Sequence, residues 1–177
     1  SETGTTDTFT VVLNSEPTDT ITLTLISADD GEVTVSPTLL TFTSSNWNIA
    51  QEVVVTGIND DIIDGNQTTL IDLSVRSSPG GDWEWLEQLS AIVTTVDDDS
   101  AGVTVAASDG STVVSETGST DTFTVVLNTQ PGSNVVINVT SGDTGEATVP
   151  STDLTFTNSN WNIAQDVIVT GIDDDII

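Results

Sequence analysis

The chain has 177 residues, of which 28 are Asp or Glu and one, Arg76, is basic, so its formal net charge is −27 at pH 7; His, Cys, Lys, Met and Tyr do not occur. These absences remove His and Cys as acid–base or nucleophilic groups and Lys as a Schiff-base group, the His/Cys sites for zinc and copper and all disulfides, and they predict a protein that is not an enzyme, a glycosidase using paired carboxylates being the weakest reading. A surface this negative repels phosphate, so nucleic acid is excluded as a partner, and no run of about 18 apolar residues offers a membrane span.

Hydrophobic residues make up 36% of the chain and Thr about one residue in six, a β-branched bias that suits strands. In chain order, Phe9, Val11 and Leu13 alternate with Thr8, Thr10 and Val12. Ile21, Leu23 and Leu25 alternate with threonines, and so do Leu40 and Phe42. Val53 and Val55 lead into Gly57, and Ile71, Leu73 and Val75 alternate with Asp72 and Ser74. Ala91 to Val96 forms a last strand of this series, and Val103 to Ala106 opens the next. Turn signals at Glu16-Pro17, Asp30-Gly31, Asp64-Gly65 and Pro79-Gly80-Gly81 separate most of these runs. No segment has helical periodicity.

Residues 1–63 recur without a gap as 115–177, an offset of 114, with roughly two thirds of the positions identical. Ser1-Glu2-Thr3-Gly4 returns as Ser115-Glu116-Thr117-Gly118, and Asn46-Trp47-Asn48-Ile49-Ala50-Gln51 as Asn160-Trp161-Asn162-Ile163-Ala164-Gln165. The pattern predicts an all-β chain of tandem immunoglobulin-like antiparallel β-sandwiches with about seven strands per repeat. Residues 1–100 form a repeat lacking its first strand, and 101–177 a second repeat lacking its last two. The chain thus reads as a piece of a longer array, with the missing strands supplied by neighbouring repeats of the same chain or by identical chains. The opening Ser1-Glu2-Thr3-Gly4 carries no signal segment, so any export signal is expected outside this fragment or already removed.

Strand parity predicts where the acids go. In successive antiparallel crossings, Glu2, the Asp29–Asp30 turn, the loop holding Asn59, Asp60, Asp61 and Asp64, and the run Asp97-Asp98-Asp99 meet at one pole of the sandwich. The opposite pole holds Pro17, Trp47 and the 77–88 loop and is poorer in acids. Two unit charges at 4 Å repel by about 1 kcal/mol in water and about 4 kcal/mol at an effective dielectric of about 20. With no local cation, such carboxylates take up protons or hold a metal. Hard oxygens and glycine-assisted turns suit Ca²⁺, which takes roughly 6–8 oxygens, better than the stricter Mg²⁺. The plainer readings are that Asp and Asn are ordinary turn residues and that acidic surfaces keep proteins soluble.

At the same residues the chain resembles a Calx-beta repeat, of the type found in tandem in long bacterial cell-surface and adhesin proteins. The resemblance rests on Ser-Glu-x-Gly, on Leu-Thr-Phe-Thr followed by Asn-Trp-Asn and Val-x-Val-Thr-Gly-Ile, on Asn59-Asp60-Asp61-Ile62-Ile63-Asp64, and on Asp97-Asp98-Asp99-Ser100-Ala101-Gly102. It implies Ca²⁺ as the bound ion, held by Glu2, Asp30, Asn59, Asp60, Asp61, the Ile62 carbonyl, Asp64, Asp97, Asp98 and Asp99. In the second copy it implies Glu116, Asp173, Asp174, Asp175 and Ile176. Asn59 stands where the family has Asp, and Thr144 stands at the position of Asp30, which passes that role to Asp143.

These readings predict a calcium-binding extracellular repeat that is structural or adhesive, forming a calcium-rigidified stalk or filament on a microbial surface. The alternatives are a calcium-sensing regulatory module, or a carbohydrate-binding module that uses Trp83 and Trp85 to stack on glycans or other cell-surface ligands. Trp47 and Trp161, at the same repeat position, read as core plugs. Asn66-Gln67-Thr68 and Asn138-Val139-Thr140 match the short acceptor pattern for glycosylation. The expected partners are neighbouring repeats or identical chains, with filament formation or strand complementation. No membrane insertion is expected in this segment.

Overall fold

The alternation of apolar and polar residues resolves into thirteen strands in the computed structural model, which describes residues 1–77, 83, 89–150 and 153–173. No helix occurs among the described residues, so none is long and apolar enough to cross a membrane. The chain divides into two compact units: Ser1–Asp60 with Asp64–Asp98, and Asp61–Ile63 with Asp99–Ile177.

The first unit is a sandwich of two antiparallel sheets. β1 (Thr6–Val11), β5 (Gln51–Gly57) and β3 (Val33–Ser36) form one sheet, in the order β1-β5-β3. β4 (Leu39–Phe42), β2 (Ile21–Ser27), β6 (Gln67–Ser77) and β7 (Leu89–Thr95) form the other, in the order β4-β2-β6-β7. Inward-facing residues of both sheets make one core: Ile21, Leu23, Leu25, Leu40, Phe42, Ile71 and Leu73 from one, and Val33, Val53 and Val55 from the other. Each is every second residue of its strand, as a half-buried pleat requires. Trp47 and Trp83 pack against this core while remaining half-exposed. Trp85 lies outside the described residues.

β3 does not figure among the strands predicted from sequence. With only Val33 and Val35 as apolar residues, its alternation is too short to stand out. Its presence leaves the strand parity intact. Val33 pairs with Gly57 at the end of β5, and Ser36 with Val54. β4 then pairs with β2 from Thr24 back to Ile21. β3 and β4 are therefore two halves of one descent that changes sheets at Pro37, a residue with no N–H to give to a ladder. The starts of β1, β3 and β6 and the ends of β2, β5 and β7 consequently share one pole.

The second unit repeats this plan with β9 (Thr120–Leu127), β10 (Val135–Ile137), β11 (Ala147–Thr148), β12 (Leu154–Phe156) and β13 (Gln165–Gly171) in the places of β1 to β5. It adds β8 (Val103–Ala107) on the outer edge of β9, giving the order β11-β13-β9-β8. Val125, Leu127, Leu154, Phe156 and Val167 form its core, with Trp161 packed against them.

Phe42 has no exposed surface, whereas Ile26 is 59% exposed. Phe42→Ala is expected to destabilise the first unit by about 3–5 kcal/mol, and Ile26→Ala by about 0.5 kcal/mol or less. Urea unfolding of the two variants measures this, and equal losses would contradict the assigned facing of β2 and β4.

Candidate metal centre

Three connections place acidic residues at the shared pole of the first unit. The first precedes β1. Gly4, with φ +78°, turns the chain there, and the Gly4 N–H donates to the Glu2 carbonyl at 2.6 Å. The Glu2 N–H donates to the carbonyl of Val96, just beyond β7, at 3.2 Å. Ser1 crosses so closely over Gly57 that a Cβ there would collide with the Ser1 carbonyl; Gly171 stands in the same relation to Ser115. A glycine at the end of β5 is thus what lets this segment seat Glu2.

The second connection joins β2 to β3. Asp29 closes its own turn by accepting the Gly31 N–H on Oδ1 at 3.1 Å and the Val33 N–H on its carbonyl at 3.1 Å. Glu32, between Gly31 and Val33, accepts the Ile58 N–H on its carbonyl at 2.9 Å. The third is the β5–β6 loop with the segment after β7. The Gly65 N–H donates to Asp97 Oδ2 at 2.8 Å, and the Asp97 N–H donates to Asn66 Oδ1 at 3.2 Å. The Asn59 amide donates to the Asp60 carbonyl at 2.7 Å.

The Glu2 side chain is 1% exposed, and neither carboxylate oxygen has a hydrogen-bond partner. Oε2 of Glu32 is buried in the same condition. A carboxylate oxygen of Glu2 and one of Asp60 lie within 4.8 Å of each other. At an effective dielectric of about 20, two full charges at that separation repel by about 3–4 kcal/mol. Burial raises the pKa of Glu2 above its ordinary 4.5, and the charges of Asp97, Asp60, Glu32 and Asp64 push it further up. Glu32 is raised in the same way, by burial first and then by Asp64, Asp60, Asp29 and Asp97. Five carboxylates from three connections thus share one region. The chain's only basic side chain, Arg76, is exposed on β6 and lines a groove with Thr38 and Leu39 instead.

The site residues predicted from sequence are placed as follows. Glu2, Asp60, Asp64 and Asp97 come together. Asp30 is exposed and lines the Arg76 groove; it is not among the charges that act on Glu2 or Glu32. Asn59 and Asp98 are exposed. Asp61 and Ile62 fall in the second unit, where the Asp61 carbonyl accepts the Gln130 N–H at 2.8 Å and Ile62 bridges to Gln130. Asp99 is the half-buried residue at which the second unit resumes. In that unit Glu116 and Asp173 are exposed, and Asp143 uses Oδ1 to accept the Gly145 N–H at 2.9 Å in its own turn. Asp174, Asp175 and Ile176 lie outside the described residues.

Glu32 is the member that the sequence reading missed. The repeat itself carried the signal: Glu32 returns as Glu146, whereas its neighbour Asp30 returns as Thr144.

The donor set fits a hard divalent cation. It consists of carboxylate oxygens from a cluster with the buried Glu2 at its centre and half-buried or exposed acids around it, with no basic side chain and no nitrogen or sulfur ligand, and it suits Ca²⁺, which accepts irregular arrangements of roughly 6–8 oxygens. Glu2, Glu32, Asp60, Asp64 and Asp97 are the residues that would hold it.

No protein-family model and no curated protein matches the chain. Solved structures similar to it include the calcium binding domain CBD12 of CALX1.1, at 19% identity over 97% of this chain and 70% of that one, with a TM-score of 0.40. CBD12 from CALX1.2 matches at 16% identity over 97% and 70%, with a TM-score of 0.38. The E. coli chaperone DraB matches at 9% identity over 94% and 79%, with a TM-score of 0.37. These are similarities of shape; the β-sandwich assignment stands on the strand pairing above.

The raised acids give the calcium-free chain a defined pH dependence. A carboxyl whose folded pKa lies above its unfolded value costs stability once it must ionise. The loss sets in as the pH rises past about 4.5 and is complete above the folded pKa. Asp121 works in the other direction. The N–H groups of Val113 and Thr122 and the Ser108 hydroxyl hold it below its ordinary 3.8, so its contribution is lost only at lower pH. Urea midpoints in chelator are therefore expected to fall from about pH 5 to about pH 7, with a shallower fall in Glu2→Gln. Midpoints that rise over this range in both proteins would contradict the cluster.

Proposed function

We propose that the first unit is a calcium-binding module and that the chain is a stretch of a structural or adhesive array outside a microbial cell. The observation that carries this reading is Glu2, whose two carboxylate oxygens are buried without a hydrogen-bond partner among Glu32, Asp60, Asp64 and Asp97. A buried charge without partners costs several kcal/mol unless it is neutralised. Protonation of one or two carboxyls relieves a few charges, while a divalent ion relieves the set and supplies the missing partner for both oxygens. The role is structural, not catalytic. The loops that carry the carboxylates are held by backbone hydrogen bonds in short turns, and the composition provides no His, Cys or Lys.

The array reading draws on the repeat. Near-identical copies follow each other with only Ser100, Ala101 and Gly102 between the Asp97-Asp98-Asp99 run and β8. Carboxylates that belong to a metal site and also form the connector would couple calcium binding to the stiffness of the joint. A stalk or filament of such repeats would be stiff where calcium is plentiful and slack where it is scarce, which suits an extracellular setting.

Calcium at about 100 times its Kd is expected to stabilise the full chain by about 2.7 kcal/mol. Thermal melting with and without chelator measures this, and small-angle scattering on the same samples is expected to report a longer particle with calcium. Glu2→Gln is expected to melt higher than the parent in chelator, because it removes a buried charge, and to lose most of the calcium-dependent gain. Identical melting from zero to millimolar calcium would overturn the reading.

A further inference from the structure

Arg76 is the only basic side chain in a chain with 28 acids. It is exposed on β6, and among the described residues no ion pair or hydrogen bond holds it. It lines a groove of about 410 Å³ beside the corner where β3 gives way to β4. Ile26, Val35 and Leu39 give this groove an aliphatic wall, on which Ile26 and Leu39 are exposed. Asp30 lines it as well. The second unit does not share these features. There Asp153 replaces Leu39, Asn138 replaces Thr24, and Thr140 and Thr144 replace Ile26 and Asp30. The Asn138 amide donates to Asp153 Oδ1 at 2.8 Å, a polar pair where the first unit keeps an aliphatic wall.

Strand register sets the two charged residues apart. Thr24 is the last residue of β2 with a partner on β4, Leu39. Arg76 stands on β6 beside that point, next to Val75, which pairs with Leu23. Asp30 lies past the other end of β2, beyond Ser27. Thr24 and Ser27 are three residues apart, about 10 Å of extended chain. Between them the edge of β2 is open. The Leu25 N–H still donates to the Thr38 carbonyl at 2.9 Å, whereas the Ala28 N–H points the other way, to the Leu70 carbonyl at 2.8 Å. By alternation the N–H and carbonyl of Ser27 face the side on which β4 has ended.

We propose that this groove binds an extended peptide segment of another protein, with a carboxylate at one end, aliphatic residues in the middle and a basic group at the other end. Arg76 receives the carboxylate, for which a guanidinium is the best-matched donor. The wall of Ile26, Val35 and Leu39 takes the aliphatic residues, Asp30 takes the basic group, and Ser27 offers a backbone donor and acceptor. Among the described residues no aromatic side chain lines the groove, so a sugar ring has nothing to stack on. The net charge of −27 repels a polyanion and draws in a basic partner. A second copy of this chain does not fit, because it has no Lys and its one Arg is already in the groove. The inference does not depend on calcium.

The test follows the amide NMR signals of the full chain during titration with two capped peptides, acetyl-Glu-Val-Val-Lys-amide and acetyl-Lys-Val-Val-Glu-amide. At millimolar peptide, shifts are expected at Leu25, Ser27 and Thr38, with one order binding about tenfold more tightly than the other, in calcium and in chelator alike. Arg76→Gln and Asp30→Asn are each expected to weaken the preferred peptide about two- to fivefold, as loss of an exposed ion pair does. The exchanged chain, Arg76→Asp with Asp30→Arg, is expected to prefer the opposite order. Both positions are exposed, and unchanged signals outside the groove verify that each variant is folded. Any of four results overturns the proposal: no shifts at millimolar peptide, affinities that ignore both single substitutions, an unchanged preference in the exchanged chain, or binding that calcium abolishes. So do shifts caused by oligogalacturonate and by neither peptide, which would assign the groove to an anionic sugar. Dimerisation that Arg76→Gln abolishes would seat a second copy there and overturn it too.

Discussion

A carboxylate removed from water needs a partner, and this chain has almost none to offer. With one arginine among 177 residues, its own side chains cannot neutralise an acid drawn into the interior. Glu2 is nevertheless drawn in, tied by its N–H to Val96 and placed next to Ser1, which crosses the glycine that ends β5. The three loops around it carry further carboxylates, so the fold concentrates charge at the place least able to disperse it. Such a layout is costly without an ion and stable with one, which gives the acidic pole a chemical identity that exposed turns of Asp and Asn lack.

Much of this was legible in the residues. Alternation revealed the strands, and parity brought Glu2, Asp60, Asp64 and Asp97 to one end although they are distant in sequence. Parity did so even with β3 overlooked, because β3 and β4 descend in the same direction and count as one crossing. What escaped was finer. Asp29, Asp30 and Glu32 share one turn, and alternation cannot tell which of them faces the pole. Asp29 spends its side chain on the turn, Asp30 leans toward the Arg76 groove, and Glu32, held by its carbonyl to Ile58, adds its charge to the cluster. Nor could loop composition reveal that Asp61–Ile63 would pack with the second unit, since that depends on backbone pairing to Gln130.

The repeat shows how far local sequence is from local environment. Ser-Glu-Thr-Gly occurs twice, and its glutamate is buried once and exposed once. The motif is identical, and so is the glycine beneath it. The difference is the end of β7, whose Val96 carbonyl holds Glu2 and which has no counterpart among the described residues of the second unit. Burial of Glu2 thus depends on the segment that follows β7 as well as on its own motif.

The core and the acidic pole have a common origin. In a sandwich of this topology the acidic side chains of the pole sit on loops, but their spacing is set by strand register, because Val33 must meet Gly57, Thr6 must meet Thr56 and Gln67 must meet Thr95 for the three loops to converge. A one-residue slip in any of these pairs would turn core valines outward and draw the acids apart. The hydrophobic core therefore sets the spacing of the acids, and the charge crowded at the pole acts back on the core. Core packing and the crowding of charge at the pole are in this way set by the same strand register.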